Sequence, residues 1–220
     1  MDIGMARTGH AARLPGRTDT VHHSLESPAA ARSGMKDVSA PQPRRQGEEL
    51  MDLPEAWKTE DGSALTLRRL EESDAEKLIA FVRGLSVAAR YFRFGSGDYD
   101  PGLDETLRYC RLHHDEGTHL VVLTPTACGE QVVGSARYVI QPDRTSCEFV
   151  IVVADTWSHH GVGHRLIDAL LGCAKAQGLQ KIHGRILASN RDMLQFVRGF
   201  GFAISDSTEG DWMKIASLDL

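Results

Sequence analysis

Between Cys147 and Gly163 the chain reads Cys-Glu-Phe-Val-Ile-Val-Val-Ala-Asp-Thr-Trp-Ser-His-His-Gly-Val-Gly, and this order of residues restricts the fold more than any other stretch. Phe149 to Val153 is a continuous, largely β-branched apolar run, the pattern of a strand covered on both faces. Asp155 to His160 interrupts it with polar residues. From Val162 onward Leu166, Ile167, Leu170, Leu171 and Ala174 recur at helical spacing, while Arg165, Asp168, Lys175 and Gln177 take the other face. The spacing predicts strand, turn and helix, with the helix opening at the glycines.

The start of a helix leaves several backbone N–H groups without partners, and the helix dipole adds partial positive charge there. Gly161 and Gly163 lack Cβ atoms, so a phosphate or pyrophosphate can approach the main chain closely. Taken alone, Gly-x-Gly is better explained as a plain tight turn, and the surrounding residues have to decide. A P-loop requires Lys-Ser/Thr after its second glycine, where this chain has His164 and Arg165. A dinucleotide fingerprint requires a third glycine and an acid ending a second strand; Leu166 and the run Lys181 to Leu187 supply neither.

Trp157 to Gly163 resembles the acyl-CoA-binding motif of the GNAT N-acetyltransferases, Gln/Arg-x-x-Gly-x-Gly/Ala, with Ser158 in place of the Gln or Arg. Asn190-Arg191-Asp192-Met193 and Gly199-Phe200-Gly201-Phe202 resemble that family's Asn-x-x-Met and terminal Gly-Phe. The resemblance implies the GNAT acyl-CoA N-acyltransferase fold: α/β (α+β), with a mixed, mostly antiparallel central sheet flanked by helices. It implies acetyl-CoA as cosubstrate, an amine as acceptor and no metal. His159, His160, Gly161, Val162, Gly163 and His164 would face the pyrophosphate, and Ser158 would weaken that hold without abolishing it. A main-chain N–H near Val152 or Val153 would polarise the thioester carbonyl. Asn190 would contact the pantetheine arm, although it reads equally well as the N-cap of a helix containing Met193 and Phe196.

Leu85-Ser86-Val87-Ala88-Ala89-Arg90-Tyr91-Phe92-Arg93-Phe94 resembles Leu-Ser-x-x-Ser-x-Tyr-x-Arg-Phe, a stretch of the GNAT branch that includes bacterial protein-lysine acetyltransferases. The resemblance makes Tyr91, Arg93 and Phe94 candidate residues of the acceptor side. They fit as well as aromatics packing a helix connection, with the arginines in solvent.

Glu148 is a lone acid in an apolar strand, and a period of two sets it on one face with Val150 and Val152. Buried there, a carboxylate has its pKa raised by desolvation and becomes a better proton acceptor near neutral pH. Glu148 could instead reach solvent or pair with Arg137 or Arg185. The resemblance implies the general base. One is needed, because an amine with a pKa of about 10.4 is protonated at pH 7 and only its neutral form attacks a thioester. Val197 stands where many GNAT enzymes carry an acid Tyr. Cys147 offers a rival route through a covalent acyl-thioester, but it points to the face opposite Glu148.

The remaining chain narrows the classes. A net charge of −5 argues against a general nucleic-acid binder. No apolar run approaches the roughly eighteen residues of a membrane span. Cys110, Cys128, Cys147 and Cys173 show no Cys-x-x-Cys spacing and read as reduced thiols of a cytoplasmic protein. Residues 1–48 are rich in Ala, Arg, Ser, Gly and Pro and read as a disordered basic N-terminal tail without the apolar core of a secretory signal; translation from Met35 or Met51 would omit it. That leaves residues 49–220 as the acetyltransferase domain, acting as a monomer or homodimer.

Within it, folding is expected to begin near Ala64 with a strand to Leu70. Ser73-Asp74 then caps a helix bearing Leu78, Ile79, Val82 and Leu85. Pro101 to Leu112 suggests a second helix. His113 to His119 lacks His-x-x-x-His spacing and reads as a polar turn rather than a metal site. Leu120 to Thr124, Val132 to Ile140 and Ser146 to Val153 form an antiparallel meander. The leading function is acetyl transfer from acetyl-CoA to a primary amine by direct attack, with a protein lysine as first acceptor and a small amine as second. A regulatory module that binds acyl-CoA without turnover is the alternative of a different class.

Overall fold

Two sets of alternating apolar residues on one sheet organise the computed structural model, which describes residues 53–220. The tail expected over residues 1–48, and residues 49–52 of the expected domain, lie outside the described residues. The strands are β1 (Glu55–Lys58), β2 (Ala64–Arg69), β3 (Gly117–Thr126), β4 (Gly129–Ile140), β5 (Ser146–Val153), β6 (Lys181–Leu187), β7 (Ala203–Ser207) and β8 (Gly210–Asp219). They form an eight-stranded sheet in the order β1-β2-β3-β4-β5-β6-β8-β7. Every pairing is antiparallel except β5 with β6. The helices are α1 (Ala75–Gly84), α2 (Val87–Phe94) and α3 (Leu103–Cys110) between β2 and β3, α4 (Val162–Ala176) between β5 and β6, and α5 (Arg191–Gly199) between β6 and β7.

On one face, Val121 and Leu123 of β3 and Val132 of β4 pack with Leu78, Phe81 and Val82 of α1. On the other, Leu120, Val122, Ala136, Tyr138, Cys147 and Phe149 pack with Leu166, Ile167 and Leu170 of α4, joined by Leu194 and Val197 of α5. Each such aliphatic side chain contributes about 1.5–3 kcal/mol when fully buried. Helix α4 comes close to the sheet at Gly134, where a Cβ would stand 2.8 Å from Val162 and 3.0 Å from Leu166.

The meander and both helix–strand units match the sequence pattern, and four local expectations change. Strand β1 precedes the expected start; four residues with Ala56 and Lys58 exposed carry too little alternation to be recognised. The polar turn shortens, because Gly117 to His119 extend β3. The run from Phe149 to Val153 is not covered on both faces: Cys147 and Phe149 are buried, whereas Val150 to Val153 are half-buried. The stretch Leu85 to Phe94 is a helix in its own right, opened by Ser86, whose side chain accepts from Ala89 N–H, and ended at Gly95 with φ 76°.

Asp74 does not cap α1 in the expected way. Its carboxylate, 0% exposed, accepts from both terminal nitrogens of Arg68 (2.6 and 2.8 Å), from Lys77 Nζ at 2.9 Å and from Glu71 N–H at 3.0 Å. Burial by itself would raise its pKa. The bonds from Arg68, Lys77 and Glu71 N–H outweigh that and hold it well below the usual carboxylate range. A lowered folded-state pKa means the stabilisation is present above the unfolded value, about 3.9, and is lost as pH falls toward the folded one. Asp74→Asn should cost about 3 kcal/mol, since it leaves Arg68 and Lys77 without their partner. Urea melts at pH 7 and pH 3 check this: the gap between wild type and variant should be full at pH 7 and narrower at pH 3.

Candidate active site

Strands β5 and β6 are paired only from Ser146–Lys181 to Glu148–His183. Beyond those residues they part. Gly184, the next residue of β6, lies under the ring of Phe149, where a Cβ would come to 2.6 Å from the ring edge. The register with β4 assigns the main-chain groups along the gap. Ala154 N–H donates to Val133 C=O at 2.9 Å, and β4 and β5 pair without a bulge from Cys147–Ile140 to Val153–Gly134. Alternation therefore turns the N–H groups of Val152, Val150 and Glu148 toward β4 and those of Val153 and Ile151 into the gap, while Phe149 N–H is taken up by His183 C=O at the last parallel rung. Of the two amides expected to polarise a carbonyl, Val153 is available and Val152 is committed to the ladder with Ser135.

At the end of β5 a short 3₁₀ turn, Asp155–Trp157, leads into the expected glycine turn. His159 (φ 65°) and Gly161 (φ 77°) both adopt the left-handed conformation, which costs a non-glycine residue such as His159 roughly 1–2 kcal/mol. His160 Nδ1 lies 2.8 Å from Ser158 C=O, and its ring is 5.5 Å from Trp157. The main-chain bond of Arg165 N–H to Gly161 C=O, 3.1 Å, is the one that opens α4. The N–H groups of Val162, Gly163 and His164 consequently point forward from the helix start without intrahelical acceptors. No acidic residue stands in the first turn of α4. His159, His160, Gly161 and His164 are exposed, whereas the Val162 side chain is 1% exposed in the core. Gly163 is constrained by packing: a Cβ there would meet Phe196 of α5 at 3.3 Å. His164 completes an aromatic cluster with Phe196 and Phe200, at 5.1 and 5.3 Å. Asn190 takes the N-cap role, its Oδ1 accepting from Met193 N–H at 3.2 Å, which leaves the amide NH₂ free.

Glu148 faces away from α4. It is half-buried, so the buried carboxylate expected from the sequence keeps part of its exposure to solvent. Nor is it paired: Arg185 bonds Glu209 at 2.6 Å, and the Arg137 guanidinium lies over the Tyr109 ring at 4.3 Å. Its neighbours across the sheet are Val139 and His183. His183 also borders an open cleft of about 630 Å³ lined by Ser146, Lys181, Ser217 and Asp219 among others. Cys147, one residue earlier, is 0% exposed on the α4 face, and burial pushes its thiol up to about 12. A thiol in that state supplies almost no thiolate at neutral pH, so it is a poor nucleophile.

Tyr91 is 46% exposed on α2. Phe94 stacks on Tyr99 with ring centroids 4.0 Å apart, and the Arg93 guanidinium lies 4.6 Å over the Phe94 ring. Arg93 therefore turns inward rather than into solvent. It lines one cavity with Arg137, which the sequence offered only as a partner for Glu148, with His119, which it read as part of a polar turn, and with Tyr109 and Ser135, which it did not single out. Period two along β3 and β4 sets His119, Ser135 and Arg137 on the face that carries Glu148, a signal available only once the register of the meander is known. The α2 start is bound to the turn after β5, as Asp155 accepts from Ser86 Oγ at 2.9 Å and from Ser86 N–H at 3.1 Å.

The model of the acetyltransferase (GNAT) family matches residues 83–202. An acetyltransferase of Pseudomonas aeruginosa is 27% identical over 145 residues, covering 65% of this chain and 77% of that protein. Among solved structures, the GNAT domain of S. lividans PAT superposes with a TM-score of 0.67 at 20% identity, covering 76% of this chain and 96% of that one. The Salmonella typhimurium protein yncA, solved with its cofactor acetyl-CoA, has a TM-score of 0.56 at 17% identity, covering 71% and 92%. This chain belongs to the acetyltransferase (GNAT) family and is an acyl-CoA-dependent N-acetyltransferase.

Proposed function

We propose that the chain transfers an acetyl group from acetyl-CoA to a primary amine, first of all a protein lysine, by direct attack assisted by Glu148. The observation that carries this reading is the position of Glu148. It lies at the last paired rung before β5 and β6 part, on the face away from α4, unpaired and half-buried. Acetyl-CoA would lie in the gap, its pyrophosphate at the N–H groups of Gly161 to His164 and its thioester carbonyl at the N–H of Val153 or Ile151. Asn190 would reach the pantetheine arm with its free NH₂. The amine would approach from the opposite face and lose a proton to Glu148, directly or through one water. The resulting neutral nitrogen attacks the thioester carbon, the tetrahedral oxyanion is held by the main-chain N–H, and CoA leaves as the thiol.

The acceptor reading rests on the open 630 Å³ cleft beside His183, which admits a chain segment carrying a lysine. A small amine is the second reading, favoured by the guanidinium groups of Arg93 and Arg137 that border one cavity on the Glu148 face. We place the reaction in the cytoplasm, in keeping with four free cysteines, and with a monomer or homodimer as the working unit. Among the described residues no helix is long and apolar enough to cross a membrane.

Two experiments test the assignment. Gly161 has a positive φ and open space where a Cβ would stand, so Gly161→Asp adds a carboxylate at the anion site without a clash, in a conformation that Asp tolerates. Its affinity for acetyl-CoA by calorimetry should fall at least about tenfold, or about 1.4 kcal/mol; an unchanged value in a folded variant moves the cofactor elsewhere. Glu148→Gln keeps the shape but accepts no proton, so kcat should drop by about 10²-fold or more near pH 7 with acetyl-CoA affinity retained. That deficit should shrink as pH rises toward the amine pKa, because more amine then arrives neutral. Cys147→Ala should keep turnover. A dead alanine variant alongside an active glutamine variant replaces direct attack with an acyl-enzyme.

A further inference from the structure

The sheet face that carries Glu148 also holds, beneath α1 and α3, a cavity of about 30 Å³ whose polar lining the transfer chemistry leaves unused. Arg93 from α2 and Arg137 from β4 enter it together with His119, Tyr109 and Ser135. Burial draws the Arg93 pKa down to about 10, with the neighbouring Arg137 adding to the effect, and the Arg93 guanidinium still stays charged at neutral pH. His119, lowered to about 3 by burial and by Arg137, is neutral and sits 2.8 Å from Ser135 Oγ. The cavity therefore holds two cations and a neutral ring.

Among the described residues neither arginine reaches a carboxylate within salt-bridge distance, and Arg137 Nε is buried with no hydrogen-bond partner. The nearby acid, Glu105, is engaged instead by Tyr99 Oη at 2.9 Å and Tyr109 Oη at 3.0 Å. The aromatic faces of Phe94 and Tyr109 steady the two cations, but they leave the in-plane N–H donors unfilled. Withdrawing two like charges from water without a counter-charge is costly, and an anion that accepts from both forks removes the cost. The space is about that of one water, which suits the head of a carboxylate, and a guanidinium fork matches a carboxylate in geometry.

The cavity floor is formed by the rungs Ser135–Val152 and Arg137–Val150, and the next rung on the same face is Val139–Glu148, about 7 Å further along. We propose that the Arg93–Arg137 cavity receives a carboxylate of the acceptor, so that the substrates are amines bearing a nearby carboxylate. The carboxylate belongs either to a free amino acid or to an acidic residue flanking a lysine. This deepens the acetyl-transfer reading of the same face and rests on it.

The test reads binding, so it does not depend on turnover. Full-length protein saturated with CoA is titrated calorimetrically with free amino acids and their carboxamides, and with peptides whose lysine is flanked by Glu or by Gln. The free acids, or the Glu-flanked peptide, should bind about tenfold tighter than their neutral counterparts, and which pair responds identifies the source of the carboxylate. Arg93→Gln and Arg137→Gln should each erase that preference, leave acetyl-CoA affinity intact and not lower the melting temperature, since an unpaired buried cation is being removed. Glu148→Gln protein should keep the preference, and wild-type protein that shows it yet transfers no acetyl group refutes the transfer reading alone. Equal binding of acid and neutral forms by wild type overturns the proposal, and so does a preference that survives both arginine substitutions. A large fall in melting temperature makes the arginines structural and overturns it as well. Tight binding of succinyl-CoA over acetyl-CoA, lost in the arginine variants, would move the carboxylate to the acyl group and overturn the acceptor assignment.

Discussion

Parallel pairing of β5 with β6 ends at Glu148–His183, and at the next residue the Phe149 ring fills the space in which a Cβ of Gly184 would stand. The ring is held from behind by Phe202, 5.2 Å away. A sheet that continued to zip would use the N–H groups of Val153 and Ile151 in a ladder; one that opens leaves them as donors lining a gap. Unpaired main-chain donors in a core are expensive unless something accepts from them. The gap is thus both the weakest region of the sheet and the one that calls for a ligand with carbonyl oxygens along its length. The pantetheine arm of acetyl-CoA, with its amides and thioester, is a ligand of that kind.

Close approach by α4 makes the gap useful. Gly134 lets Val162 and Leu166 settle against β4, and Gly163 lets the first turn pass Phe196, so the helix start is delivered to the mouth of the gap. Gly134 and Gly163 answer a packing demand, whereas Gly161 answers a conformational one. The turn is in addition fastened to α2 through Asp155 and Ser86, which links the helix bearing Arg93 and Phe94 to the segment facing the cofactor. A shift on one side of the gap is therefore felt on the other through two hydrogen bonds of ordinary length.

Patterns local in sequence were legible before any coordinates. The change of period at Val162, the meander from Leu120 to Val153 and the helix start at the glycines all depend on spacing alone. What could not be read depends on register and on cover. Whether Val152 or Val153 presents a free N–H is a question of odd or even pairing with β4, and one residue of slip reverses the answer. How deeply Glu148 is buried depends on tertiary cover: Val152 packs against the cluster under α1, whereas Glu148, two rungs along, stays half-buried. The inward turn of Arg93 was hidden for the same reason: an arginine on an amphipathic helix is ordinarily solvated, and nothing local signals that two aromatic rings and the floor of β4 will enclose it.

Strand alternation separates two chemistries that the sequence puts side by side. Cys147 and Glu148 are adjacent, yet the pleat sends the thiol into the α4 core and the carboxylate to the opposite face. The thiol loses reactivity by the burial that stabilises the fold, its pKa driven up to about 12. The carboxylate keeps contact with water and with whatever enters from the cleft beside His183. A covalent route would require the thiol to leave the core and the strand to rotate; direct attack requires no motion of β5. On a face that already carries two unneutralised arginines, an incoming amine would be repelled unless it brought negative charge with it. The acid proposed to remove its proton and the cations that would hold its carboxylate would then act in the same direction, favouring an acceptor that is zwitterionic on arrival.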